Sequence, residues 1–251
     1  MSIKETYPTV ANDVSTPRVA PYLMLIARTA FFALVQALIA GMMFAQGNPY
    51  PWQASVAWWP ISAIVTNFIC LALLVWLMRR EGKGLAELYN YQRDRLGRDL
   101  LMGIAFIFVA FPFAYLGLTG STLLLYGGTM PDFFFPLPMW AAILTLLLFA
   151  PTVALAELPT YLGYSLPRIE ARTGRTWLAL LLAVFWLAAQ HAALPLIFDW
   201  RFALWRFSAF VPLAFVVGLI YLRTRRLIPL MVAHGLIDAS LGWTVFSLSS
   251  M

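Results

Sequence analysis

The chain has 251 residues, 62% of them hydrophobic and only 11% charged, with a formal net charge of +6. This composition excludes an ordinary soluble domain and describes a polytopic membrane protein. The positive balance does not call for nucleic acid, because the basic residues gather in short loops between apolar runs, where they act as topology signals.

Residues 1–18 are polar and read as a cytoplasmic tail ahead of a single transmembrane domain over 19–251. The first apolar run, about Val19 to Gln46, is too long for a signal-peptide core and reads as a retained span. Arg28 lies inside it and is expected to snorkel toward the headgroups. An uncharged loop over 47–52 leads to a second span, about Ser55 to Met78, opened by Trp58 and Trp59 at the interface. Cys70 is the one cysteine, so no disulfide framework exists. The polar stretch Arg79 to Asp99 reads as a solvated basic loop. A third span starts near Leu100 and fades after Leu118 into 119–137, an irregular region with Gly127, Gly128, Pro131 and Pro136. That region is an outer loop, a re-entrant piece or part of a further span. The fourth span covers about Pro138 to Pro167, the fifth Trp177 to Phe198, the sixth about Phe207 to Leu222, and the seventh Leu227 to about Ser247.

The expected fold is therefore an all-α transmembrane helical bundle of about seven spans, or eight if 119–137 crosses, with a cytoplasmic N-terminus. Seven spans place fourteen basic residues on the inner side and only Arg201 and Arg206 in outer loops. An eighth span within 119–137 would destroy that bias.

Ionisable groups inside apolar runs are costly and need a reason. Glu157 ends one such run, and the only two histidines, His191 and His234, lie in two others. Asp238 follows His234 by four residues, on the same helix face. At 1.5 Å per residue, Glu157 lies roughly 16 Å from Arg168, His234 roughly 12 Å and Asp238 roughly 18 Å from Arg226, and His191 roughly 24 Å from Arg175. In an apolar core about 30 Å thick these depths overlap, as expected of one shared site. Pro159 frees the carbonyl of Leu155 and can kink the helix beside Glu157. Thr160, Tyr161 and Tyr164 follow on the Glu157 face as a polar stripe, with Tyr161 and Tyr164 candidates for substrate contact. Each group also has a plainer reading: a histidine that only bonds a neighbouring helix, or a Glu157 that is only the partner of Arg28.

The stretch Glu157 to Ile169, with Gly163 and then Tyr164-Ser165-Leu166-Pro167-Arg168-Ile169, resembles the first motif of the CPBP family of CAAX proteases and bacteriocin-processing enzymes, Glu-Glu-x-x-x-Arg-Gly. Leu187 to His191 followed by Leu194-Pro195-Leu196 is similar to the second motif, and His234 to Asp238 after Ile228-Pro229 to the third. Together they cover about residues 138–245. The sequence departs from the pattern at Leu158 and Leu162, where the motif has its second Glu and its Arg, and at Leu187, where it has Phe. Leu158 and Leu162 are four apart, so an ion pair on one helix face has been exchanged for two apolar side chains, a change that can be neutral.

The resemblance implies an intramembrane endopeptidase in which Glu157 activates a water. His234 would help hold that water, His191 would donate to the oxyanion, and Asp238 would assist either protonated or by orienting His234. It implies a membrane-associated protein or peptide substrate, a lipid environment, no nucleic acid and no cofactor, with the plasma membrane as the expected location. Three alternatives stand beside it. Zinc held by Glu157, His191 and His234 would make a metalloprotease. The exchanges at Leu158 and Leu162 would suit a catalytically silent immunity or scaffold protein. A proton relay through Glu157 and the histidines would suit a small transporter, although no repeated half is present.

Overall fold

The structure is a computed structural model and describes residues 17–251, so the expected tail over 1–18 lies outside the described residues except for its last two positions. In chain order the helices are α1 (Ala20–Ala45), the short α2 (Pro51–Val56), α3 (Trp59–Arg80), the single turn α4 (Leu85–Leu88), α5 (Leu96–Tyr126), α6 (Met139–Leu158), α7 (Leu166–Thr173), α8 (Thr176–Ala189), α9 (Trp200–Thr224) and α10 (Ile228–Ser249). Among the described residues six helical segments are long and apolar enough to cross a membrane, and the apolar stretch Thr176–Ala192 is a shorter seventh. The protein is an all-helical, multi-pass membrane protein.

Proline starts several of these helices. Pro21, Pro51, Pro60, Pro167 and Pro229 all stand in first turns. There the missing N–H has no intrahelical partner to lose, and φ is already helical. Pro159 acts differently. The chain from Pro159 to Ser165 widens into a π-helical turn between α6 and α7. Such turns recur at functional sites. The carbonyl of Leu155 released by Pro159 accepts a hydrogen bond from the Tyr89 hydroxyl at 3.1 Å. Burial pushes the Tyr89 phenol up to about 12, so it stays a donor at any ordinary pH.

The bundle is ordered by close pairings. α10 lies between α6 and α5, α5 leans on α9, α9 on α8, and α3 on α6. Gly117 lets α5 reach α9: a Cβ there would stand 2.2 Å from the carbonyl oxygen of Ala209. With little hydrophobic drive between helices in lipid, such small residues set how near they come.

One end of the bundle is basic and cross-tied. Arg168 pairs with Glu81, Arg225 with Glu170 at 2.8 Å, and Arg226 with Asp99. Arg172 donates to the carbonyl of Arg18. The segments after α3, α7 and α9 and the start of α1 therefore share this end, as the charge distribution of the sequence implied. The opposite end is closed by rings: Trp52 stacks on Phe198 with centroids 4.8 Å apart, and Trp59 meets Phe133, Phe134 and Phe149.

Three sequence expectations need correction. α5 runs on to Tyr126, so only 127–138 is irregular and no eighth span forms there. The αL conformation of Gly127 ends that helix. The fifth span stops at Ala192 instead of Phe198, because a 3-10 turn over Gln190–Ala192 leads into non-helical chain. α9 begins at Trp200, capped by the Asp199 side chain, which accepts from the backbone N–H of Arg201. Arg201 and Arg206 are thus helical residues, not loop residues, and Arg206 is buried.

Candidate active site

Glu157 sits on the last turn of α6, just before the π-helical turn, and is 5% exposed. Its Oε2 accepts from Nη2 of Arg28 at 3.0 Å. Arg28, expected to snorkel, is instead 1% exposed and turned fully inward. Its Nε donates to Oε1 of Gln190 at 2.7 Å and its Nη1 to Oδ1 of Asn67 at 2.8 Å. Asn67 in turn donates to the Thr152 hydroxyl at 3.1 Å. The guanidinium therefore joins α1, α3, α6 and the end of α8 at one point. The physical reason is balance: two isolated charges in an apolar interior are each very costly, whereas a paired and hydrogen-bonded couple is tolerated.

The other oxygen of Glu157 faces α10. Nε2 of His234 lies 3.2 Å from Oε1 of Glu157 and 3.1 Å from Oδ2 of Asp238. The first approach is close without hydrogen-bond alignment, so Oε1 is a buried acceptor with lone pairs to spare. Asp238 stands beside the same His234 nitrogen from the next turn of its own helix.

His191 occupies the 3-10 turn that ends α8. Its Nδ1 lies 3.0 Å from the carbonyl oxygen of Leu187, and its ring stacks on Phe210 at 3.5 Å between centroids. A carbonyl can only accept, so Nδ1 carries the proton and the neutral ring presents Nε2 as a lone pair. His191 thus donates to an oxyanion only as imidazolium. The non-helical chain beyond it is tolerated because protein groups satisfy it. The Gln36 amide makes two hydrogen bonds with the backbone of Leu196, at 2.9 and 2.7 Å, and Trp52 adds a third at 3.1 Å.

Glu157, His191, His234 and Asp238 all line one cavity of about 330 Å³. The structure does not bring Tyr161 and Tyr164 to it. Both belong to the π-helical turn, whose register departs from the α-helical stripe, and both are fully buried away from the cavity wall. Tyr161 packs into the core with Leu162 and Ile169, and Tyr164 carries Arg168 over its ring at 3.9 Å. Among the described residues no group of three or more His, Cys, Asp or Glu side chains stands close enough together to hold a metal ion.

Residues 138–240 match the family described as Type II CAAX prenyl endopeptidase Rce1-like. Over this segment, less than half of the chain, the protein is similar to the CAAX protease family. No curated protein and no solved structure gives a significant match. The family match runs from the start of α6 into α10 and so contains all four cavity-lining acid–base residues. Within it, the two leucines that depart from the first motif are packed in the core: Leu158 is 2% exposed and Leu162 is fully buried, in one cluster with Leu166 and Leu187. A Cβ at Gly163 would stand 2.8 Å from a terminal methyl of Leu227, so that side chain would have to shift to admit one. Of Arg28, Asn67, Gln190 and Arg206, only Arg28 was linked to Glu157 from the sequence, in the plainer reading that makes it the partner of that carboxylate. The first two lie outside the matched CAAX protease segment altogether, and their signal was only that each is a polar residue within an apolar run.

Proposed function

We propose that this protein is an intramembrane endopeptidase that hydrolyses a peptide bond of a membrane-associated protein or peptide with a water activated by Glu157. The observation that carries the reading is the asymmetry of the Glu157 carboxylate: Oε2 is fixed by Arg28, while Oε1 is a buried acceptor beside His234 on the wall of a cavity. That is the disposition of a general base, fixed on one side and open on the other.

The steps balance within this set. Oε1 of Glu157 takes a proton from water, and the water oxygen attacks the scissile carbonyl carbon. The tetrahedral oxyanion then collapses, the C–N bond breaks, and the proton passes to the leaving nitrogen to give a carboxylic acid and an amine. His234 orients the water from the other side and Asp238 fixes its ring, which favours orientation as the role of Asp238. His191 stabilises the oxyanion in its imidazolium form or accepts a proton through Nε2. Exclusion of bulk water strengthens each of these charge interactions. The exchange of the motif's second Glu and Arg for Leu158 and Leu162 is compatible with activity, because both leucines fill the core and leave Glu157 its own cation, Arg28. The cell membrane is the place this reading assigns.

The test is cleavage of a membrane-anchored peptide by the purified protein, with Glu157→Gln beside it and a strong chelator in a third arm. Hydrolysis that survives the chelator and falls about 10²-fold or more in Glu157→Gln supports the reading. Activity lost to the chelator and restored by zinc replaces it with a metalloprotease, and an unaffected Glu157→Gln removes Glu157 from the chemistry.

A further inference from the structure

A second hollow lies at the basic end of the bundle, roughly 24 Å of helical rise from His191. It is an open groove of about 950 Å³ between the first turn of α8 and the last turns of α9. Arg175 stands at its rim on the α8 side and Arg223 on the α9 side, and both are exposed. α8 runs away from the basic end and α9 runs back toward it, so both helices place apolar lining below their arginine. Leu178 is one turn below Arg175 and Leu219 one turn below Arg223, each about 5 Å deeper. Deeper still the two helices close on each other at Gly218, where a Cβ would stand 2.6 Å from Cδ1 of Leu180. The exposed ring of Trp177 flanks the groove at the level where aromatic side chains meet headgroups.

The carboxylates that pair at this end are already taken. Glu81 has Arg168, Asp99 has Arg226, and Glu170 has Arg225. Glu170 touches the groove through Thr176, whose hydroxyl donates to Oε1 at 2.7 Å. Arg225 covers both oxygens of Glu170, at 3.0 and 2.8 Å, so that acid has nothing left for the rim. Among the described residues neither Arg175 nor Arg223 makes an ion pair. Arginines that serve only as topology signals can stand anywhere in an inner loop. Topology alone does not call for two of them across a groove with an apolar floor.

Size and layering select the ligand. The volume is at the upper end of the range for small-molecule sites, and inorganic phosphate would leave most of it empty. A guanidinium binds phosphate through charge-assisted hydrogen bonds, while leucine and tryptophan side chains receive methylene groups. Basic pockets between spans suit anionic headgroups for these reasons. We infer that this groove binds one anionic phospholipid, with Arg175 and Arg223 facing its phosphate from opposite sides and its first chain carbons lying over Trp177, Leu178 and Leu219. The bound lipid fastens the start of α8 to the end of α9. The site is independent of the chemistry at Glu157.

The test titrates the delipidated protein in detergent with phosphatidylglycerol or with phosphatidylcholine of the same chains. Native mass spectrometry counts the lipid bound, and a thermal melt runs beside it. The wild-type protein is expected to hold one phosphatidylglycerol about 10- to 30-fold more tightly than phosphatidylcholine, the worth of two basic contacts at a membrane surface, and to melt higher with it. Arg175→Gln with Arg223→Gln should bring the two lipids to within about twofold. Arg93→Gln with Arg98→Gln removes as much exposed charge elsewhere on the same end and should leave the preference intact. Equal loss in both double variants overturns the inference in favour of diffuse attraction by the whole basic end. Absence of any preference in the wild-type protein overturns it without a variant. Displacement of phosphatidylglycerol by millimolar inorganic phosphate also overturns it, and makes the groove a site for a soluble anion. A melt of each variant without lipid identifies a folding defect, and the wild-type lipid and phosphate arms decide the matter whatever that melt shows.

Discussion

Among the buried arginine–carboxylate pairs that tie this bundle, two employ their oxygens differently. At the basic end, Arg226 meets Asp99 with both partners forked: Nε reaches Oδ1 at 3.2 Å and Nη2 reaches Oδ2. Nothing of that carboxylate is left over, and it lines no part of the cavity. In the membrane interior, Arg28 meets Glu157 through one oxygen only, and divides its other nitrogens between Asn67 and Gln190. The first arrangement saturates an acid and makes a strut. The second fixes an acid and leaves it half open. The same two residue types give structure or reactivity according to how many oxygens the guanidinium covers.

Exchanging each acid for its amide should divide the two roles. Glu157→Gln is expected to lower hydrolysis about 10²-fold or more while the fold persists, since Arg28 keeps Asn67 and Gln190 as partners; a cleavage assay alongside a thermal melt reads both. Asp99→Asn should do the reverse. It strands Arg226 and costs about 3–5 kcal/mol of stability, with kcat of the folded fraction unchanged. A loss of kcat in folded Asp99→Asn would mean that the two pairs are not separate in function.

Replacing both members of the inner pair tests whether it serves stability at all. Arg28→Met with Glu157→Met is expected to leave stability unchanged or raised by about 1–4 kcal/mol, with activity gone. A double variant that melts well below wild type would make the pair a strut like the outer one. A smaller effect on cleavage is expected at the two leucines of the motif. Leu158→Glu with Leu162→Arg should cost up to about 4 kcal/mol of stability, because charges replace packed core leucines, and change cleavage little, since Glu157 already has its cation. A strong gain in cleavage would show that Arg28 is an incomplete substitute.

The sequence made Glu157, His191, His234 and Asp238 visible because charge inside an apolar run is rare, and helical rise put them at similar depths. It could not decide Arg28. Snorkelling and an inward ion pair begin from the same arginine in the same run, and only the face that α1 turns toward α3 and α6 separates them. The end of α8 was equally hidden, because the apolar letters continue through Leu194, Leu196 and Phe198 after the helix has stopped. Pro195 and the paired Asp199 and Trp200 were the available marks, a break followed by a cap. Misplacing that boundary assigned Arg206 to a loop and concealed it. The tyrosines failed for another reason. A π-helical turn changes the angular step per residue, so a stripe counted at 3.6 residues per turn no longer points where it did.

The brevity of α8 also reaches into the lipid. From Thr176 to Ala192 the helical rise spans 17 residues, about 25 Å, against an apolar core of about 30 Å. Its outer flank carries Trp177, Leu181 and Phe185, all exposed and suited to acyl chains. A short span facing lipid imposes hydrophobic mismatch, which the bilayer relieves by thinning along that flank. Thinning along that flank would reach the turn that bears His191 and would shorten the path for both a polar peptide bond and a water. Cleavage should therefore proceed faster in vesicles of short-chain lipids than in those of long-chain lipids, and a rate indifferent to chain length would show that the flank is shielded by other protein.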